Sequence, residues 1–75
     1  MEIGTIKRIK VNPKTDKGAI LFEDGKAYYI NSLNEVKQLM NLFRRGDPIG
    51  GKIGYKLNED KINNEGVIGD FIVVD

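Results

Sequence analysis

Two strand-like runs separated by Asp24-Gly25 constrain the fold of this chain more than any other feature. The runs cover residues 18–23 and 26–31 and are rich in apolar and aromatic side chains. Asp-Gly favours a two-residue hairpin turn, because the central residues of that turn need a positive φ, which glycine accepts freely. The sequence therefore predicts a β-hairpin over residues 18–31, with Asp24 and Gly25 as its turn.

Alternation along the hairpin separates an inner face from an outer face. The bulkier pairs, Ile20 with Phe22 and Tyr28 with Ile30, are predicted to point into the core. Four other residues are then predicted to lie on the outer face: Ala19, Leu21, Tyr29 and Asn31.

A further strand is predicted upstream, over residues 3–11. Ile9 and Val11 alternate with charged residues, as in a half-buried strand, but Ile6 is out of phase with Ile9. A β-bulge near Lys7 and Arg8 would bring both isoleucines to the core and leave the two cations outside. The polar residues 12–17, which include Asn-Pro, are predicted to form a loop.

A helix is predicted after the hairpin. Its apolar residues recur at spacings of three and four: Leu33, Val36, Leu39, Met40 and Phe43. Ser32 or Asn34 is suited to cap its start, and Arg44 and Arg45 are predicted in its last turn, with Gly46 ending it. We interpret the apolar stripe as a plug packed on the core rather than a partner-binding face.

Two more strands, over residues 51–57 and 67–74, complete the order strand, strand, strand, helix, strand, strand, with a polar loop at 58–65 between them. Gly69 is expected to mark a bend in the last strand. This order predicts an all-β fold, a five-stranded OB-fold barrel with one helix between the third and fourth strands. A small SH3-like barrel is the main alternative, but it usually lacks such a helix.

The composition is that of one small globular domain spanning residues 1–75. The chain has no Cys, 40% hydrophobic and 31% charged residues, and no apolar run long enough for a membrane span or a leader peptide. We therefore expect a cytoplasmic protein that does not contact a membrane.

Catalysis is not expected, because there is no His or Cys and Ser32 is the single serine. No metal ligands or cofactor-binding motif are apparent either.

Charge is distributed unevenly, although the net charge is only +1. Residues 1–26 carry six basic and four acidic side chains, residues 27–56 carry five and two, and residues 57–75 carry one and five. Such asymmetry can orient a polyanion toward the basic part of the molecule.

Four short segments resemble the cold-shock domain family along most of the chain. Gly4-Thr5-Ile6-Lys7 is similar to the family's opening Gly-Thr-Val-Lys, and residues 17–22 occupy the place of its first ribonucleoprotein motif. Tyr29-Ile30-Asn31 stands at the second motif, Phe-Val-His, and residues 51–55 resemble the fourth strand. The resemblance implies an OB barrel that binds single-stranded RNA or DNA, stacking bases on outward aromatics and placing lysines against phosphates.

The same resemblance implies roles for particular residues. Lys7 matches the cation of the first strand, Lys17 the cation that opens the first motif, and Tyr29 an aromatic stacker. Asn31 stands where the family has His. This chain departs from the family at the stacking positions, which carry Arg8, Ile9, Ala19 and Leu21 where the family has aromatics. An arginine can stack on a base and pair with phosphate, so Arg8 would compensate in part.

The predicted site is a nucleic-acid-binding face made by these residues: Lys7, Arg8, Lys10, Lys17, Leu21, Tyr29 and Asn31. Several of these residues also have a structural interpretation. The lysines could block pairing of a strand edge, and Asn31 could cap the helix. The alternative function is a protein-interaction or self-association module, in which Ala19, Leu21 and Tyr29 form an apolar patch for a protein partner or a second copy.

Overall fold

The computed structural model describes residues 1–58 and 66–74, which form five strands and one α-helix. In chain order these are β1 (Glu2–Asn12), β2 (Lys17–Phe22), β3 (Ala27–Ile30), α1 (Leu33–Asn41), β4 (Lys52–Leu57) and β5 (Val67–Val73). Residues 59–65, in the polar loop predicted between the last two strands, lie outside the described residues. The α-helix has nine residues, and no described helix is long and apolar enough to cross a membrane.

The strands close into a barrel in the order β1-β2-β3-β5-β4, with β4 returning to pair with the first half of β1. All neighbours are antiparallel except β3 and β5, which pair in parallel through Tyr29–Val67 and Ile30–Ile68. A closed five-stranded barrel with one helix between β3 and β4 confirms the predicted fold and has the layout of an OB-fold.

The predicted bulge in β1 is present. The register between β1 and β2 shifts between Ile6, opposite Phe22, and Arg8, opposite Leu21, so Lys7 is the extra residue. Ile6 is fully buried and Ile9 packs on the core, while Lys7 and Arg8 are exposed. The bulge therefore allows both isoleucines to face the same core, although their spacing is out of phase for a regular strand.

The core runs through the barrel and is closed at one end by α1. Val36 and Leu39 of α1 are buried, which confirms that the helix plugs the barrel. The remaining buried members of this cluster come from the strands: Ile6, Ile20, Phe22, Ile30, Ile53, Tyr55 and Ile68. The rings of Phe22 and Tyr55 stack with centroids 4.7 Å apart. Met40, which the apolar stripe included, is 38% exposed.

The hairpin loop differs from the prediction, because it has three residues rather than two. Leu21 pairs with Ala27, and the Phe22 amide donates to the Lys26 carbonyl oxygen over 2.8 Å. The loop is therefore residues 23–25, in which only Gly25 has a positive φ, of 90°. The Gly25 amide donates to the Phe22 carbonyl oxygen over 3.0 Å, which fits a type I turn followed by a left-handed glycine.

The end of the helix also differs from the prediction. Helix α1 ends at Asn41, and the amides of Leu42 and Phe43 donate to carbonyl oxygens three residues back, which tightens the last turn. Phe43 then adopts an extended conformation and packs on the core. Arg44 and Arg45 consequently lie in a separate 3-10 turn, so no cation occupies the last turn of α1.

The predicted bend in the last strand is a second bulge. Lys56 pairs with Asp70 and Leu57 with Ile68, so Gly69 is the extra residue on β5.

At the start of α1, the Ser32 side chain accepts the Glu35 amide over 3.2 Å. Ser32 is therefore the helix cap, and the capping interpretation of Asn31 is wrong.

Candidate nucleic-acid interface

Three neighbouring strands bring the predicted site residues to one outer face of the barrel. Strand pairing aligns Arg8 with Leu21 and Ala27 in one row, and Lys10 with Ala19 and Tyr29 in the next. Asn12 and Lys17 pair in a third row, which Asn31 continues just past the end of β3. Residues opposite each other on paired strands share a face. We call this face the platform, and its members are Arg8, Lys10, Asn12, Lys17, Ala19, Leu21, Ala27, Tyr29 and Asn31.

Tyr29 is the aromatic side chain of the platform and is 61% exposed. It is the one exposed aromatic of the chain, whose six aromatic residues all lie in the described part. Its neighbour Tyr28 points the other way and contacts the core aromatics, with its ring centroid 5.5 Å from that of Tyr55. The predicted inner and outer faces of the hairpin are therefore confirmed.

Lys17 and Asn31 are held together at the third row. The Lys17 ammonium donates to the Asn31 carbonyl oxygen over 2.9 Å and to its side-chain oxygen Oδ1 over 2.7 Å. Two of the three ammonium donors are thereby used, and one is left for another acceptor. Because Oδ1 accepts from Lys17 and Asn31 is exposed, the side-chain nitrogen of Asn31 can donate a hydrogen bond to another group.

The platform is positively charged without internal compensation. Its nine members include the three cations Arg8, Lys10 and Lys17 and no carboxylate. Two nearby carboxylates, those of Asp16 and Glu2, lie outside the platform. Asp16 Oδ1 accepts the Leu33 amide over 3.3 Å, and Lys26 approaches Glu2 at 3.9 Å beside the hairpin loop.

Two open grooves cross the platform and meet at Lys10 and Ala19. The first, of about 240 Å³, lies between Arg8, Leu21 and Ala27. The second, of about 380 Å³, runs from Lys10 to Lys17 and is bordered by Tyr29. Their floors are small apolar side chains and their borders are cationic, an arrangement that suits a chain with flat apolar groups and an anionic backbone.

The structure gathers six of the seven predicted site residues on the platform. Lys7 is the exception, because it is the extra residue of the bulge and has no partner in the three rows, although it is exposed beside Arg8. Sequence reasoning missed Asn12 and Thr15, which line the second groove. Asn12 is the last residue of β1 and its Oδ1 accepts the Lys14 amide, whereas Thr15 lies in the turn that follows. Polar residues at such a turn carry no sequence signal for a binding role.

The described residues contain no group of three or more His, Cys, Asp and Glu side chains that could hold a metal ion. The chain matches no protein-family model, no curated protein and no solved structure at a significant level. The geometry of the platform is therefore the main source of evidence for a function.

Proposed function

We propose that this protein is a non-catalytic module of cold-shock type that binds single-stranded RNA or DNA on the platform. The observation that carries the proposal is the alignment of three cations and the one exposed aromatic ring on the same three-stranded face, with no carboxylate among them. Phosphates would meet Arg8, Lys10 and Lys17, and one base would stack on Tyr29.

Single strands fit this face better than a duplex, because the stacking partner is a ring that lies on an open strand surface. A base can stack on such a ring only when it is not already stacked and paired in a helix. Asn31 adds a hydrogen-bond donor close to Tyr29, at the row where Lys17 holds it.

The expected affinity is modest and depends strongly on salt. One stacked base contributes about 1–3 kcal/mol, whereas ion release contributes a slope of about −0.7 in log K against log salt for each phosphate neutralised on a single strand. Three engaged cations therefore predict a slope of about −2.

The test is an anisotropy titration of a labelled oligothymidylate or oligouridylate, about eight nucleotides long to match one OB barrel. Titrations over a range of NaCl concentrations give the slope.

We expect Lys10→Glu to weaken binding and to make the slope shallower by at least about 0.7. Lys37→Glu changes the same charge on exposed α1, off the platform, and is expected to leave the slope nearly unchanged. Absence of binding at about 20 mM salt would exclude the proposal.

The alternative, a protein-interaction or self-association module on the same patch, has less support. Ala19 and Leu21 are half-buried, so the apolar area that they and Tyr29 present is small and is bordered by cations. The absorbance ratio at 260 and 280 nm of the purified protein, together with its elution volume, separates the two. A dimer free of nucleic acid would favour the alternative.

A further inference from the structure

A third groove lies on the opposite side of β1 from the platform and is lined mostly by apolar residues. It has a volume of about 470 Å³, within the range of ligand clefts. Ile9 and Val11 of β1 form one wall, α1 contributes Val36 and Met40, and the far wall is residues 46–49. Val11 is 53% exposed and Ile49 is 52% exposed, so much of this surface is open to solvent.

The wall formed by β1 is also an open strand edge. Strand β4 pairs with β1 only at residues 2–5, and the Ile6 amide and carbonyl then bond to Gly51 and Gly50. Beyond the bulge, β1 pairs with β2 alone.

Alternate residues of an antiparallel strand direct their amide and carbonyl groups to opposite sides. Ile6 directs these groups away from β2, and past the one-residue bulge Ile9 and Val11 do the same. Neither has a main-chain partner on that side among the described residues.

The groove and the open edge together fit an added β-strand. A strand placed beside β1 would receive main-chain hydrogen bonds from Ile9 and Val11, and its alternate side chains would lie on two faces. Those next to Ile9 and Val11 would enter the apolar groove. Those on the other face would lie beside Arg8 and Lys10, the cations of the platform, so acidic side chains are favoured there.

We propose that the edge of β1 at residues 9–11 binds an extended peptide of a partner protein in which apolar and acidic residues alternate. A second copy of this chain is a poorer occupant. Antiparallel pairing of two β1 edges would bring Arg8 and Lys10 of one copy against the same cations of the other, and like charges on opposed strands repel. This site is distinct from the proposed nucleic-acid function, although Arg8 and Lys10 border both surfaces and Val11 also lines the second groove of the platform.

The experiment titrates the full chain with a labelled peptide of the repeat Glu-Val and, as a control, a peptide of the same composition with its valines in one run. We expect the alternating peptide to bind more tightly. Its binding should shift the amide resonances of Ile9 and Val11 and slow their hydrogen exchange. The amide of Tyr29 should move less than these two.

Two variants separate the contributions of the backbone and the groove. Val11→Pro removes the outward amide and leaves the β1–β2 ladder intact, since an edge position tolerates proline where its N–H faces solvent. We expect it to weaken peptide binding about tenfold relative to Val11→Ala, which keeps the amide.

Ile49→Glu places a carboxylate in the far wall of the groove and is expected to weaken binding as well. Ile72→Glu is the matched control, because Ile72 is 51% exposed but lies on β5, outside the groove. It should bind the peptide as the parent chain does.

Three results would overturn the proposal. The first is no binding of the alternating peptide at millimolar concentration, and the second is equal binding of both peptides. The third is a concentration-dependent dimer in which Val11 is protected without any peptide, which would identify a second copy as the occupant. None of these results depends on whether Tyr29 binds an oligonucleotide.

Discussion

Two adjacent tyrosines show how a single position in a strand decides the role of a residue. Tyr28 is half-buried and contacts Phe22 and Tyr55, whereas Tyr29 faces solvent. The difference follows from the two-residue period of a strand, which sends neighbours to opposite faces. The same ring therefore contributes to stability at position 28 and is available for binding at position 29.

Replacing Tyr29 is expected to change affinity rather than stability. Tyr29→Ala should lower the affinity for a single-stranded oligonucleotide by about 5- to 150-fold, the equivalent of one lost stacking contact of about 1–3 kcal/mol. Tyr29→Phe keeps the ring and should bind nearly as the parent chain does. Fluorescence titration measures both. Unchanged affinity in Tyr29→Ala would mean that this ring does not contact a base.

Tyr55 makes stability depend on pH in the alkaline range. Burial, followed by the nearby Tyr28, raises the pKa of Tyr55 from 10.0 to about 12. The folded state holds this proton more tightly than the unfolded state. The contribution of Tyr55 is therefore complete below pH 10 and is lost as pH rises toward 12. The free energy of unfolding should fall by roughly 2–3 kcal/mol over this range.

Urea unfolding at several pH values between 9 and 12 measures this loss. Tyr55→Phe lacks the phenol hydroxyl and should lose less stability over the same range than the parent chain. An identical alkaline loss in the two proteins would mean that Tyr55 does not cause it.

At the scale of elements, the hairpin loop shows a limit of local turn signals. With a two-residue loop, Phe22 would pair with Ala27 and Leu21 with Tyr28, which would put the bulky residues of the two arms on opposite faces. A third loop residue restores the phase, so that Ile20 pairs with Tyr28 and both face the core. Burial of the apolar residues of both arms on the same face therefore outweighed the preference of Asp24-Gly25 for a two-residue turn.

Gly25 is expected to stabilise this loop through its backbone conformation. Its φ is 90°, and a Cβ added there would meet no atom within 4 Å, so steric contacts do not oppose substitution. Gly25→Ala should lower stability by about 1–2 kcal/mol, the cost of a left-handed conformation for an L-residue. Gly25→Asn should cost less, because asparagine tolerates that region. Thermal unfolding compares them. Equal melting temperatures for Gly25→Ala and the parent would contradict the loop geometry.

Helix α1 shows how tertiary contacts move an element boundary. The spacing of apolar residues extends the helical pattern through Phe43, but the chain leaves the helix after Asn41. Phe43 instead packs close to Gly51, where an added Cβ would clash with its ring. If the helix continued through Phe43, that side chain would not reach its place beside Gly51. We infer that the contact of Phe43 with the core ends the helix at Asn41, and local helix propensity does not predict that boundary.

At the scale of the whole molecule, stability depends on the helix closing the barrel. Leu39 is fully buried in the core cluster, while its neighbour Met40 is 38% exposed. Leu39→Ala should cost about 2–5 kcal/mol, a large part of the stability of a small domain. Met40→Ala should cost markedly less. Because helix propensity favours alanine at both positions, the difference between the two losses of stability measures how much each side chain contributes by packing. Denaturant unfolding measures it, and equal losses would mean that α1 does not plug the barrel.

The sequence determined the local structure and the composition of the site. Strand periodicity placed Tyr29 outward, the spacing of Ile6 and Ile9 required the bulge at Lys7, and the helix lay between the third and fourth strands as predicted. These features follow from neighbours in the chain, whose side chains alternate or recur by backbone geometry alone.

Only the tertiary structure decided what distant segments do to one another. The return of β4 to residues 2–5, the parallel contact of β3 with β5, and the open edge at Ile9 and Val11 leave no mark in local periodicity. Such pairings bring together residues far apart in the chain, and they form only where the barrel as a whole gains burial by closing. The end of α1 and the length of the hairpin loop were settled by the same packing.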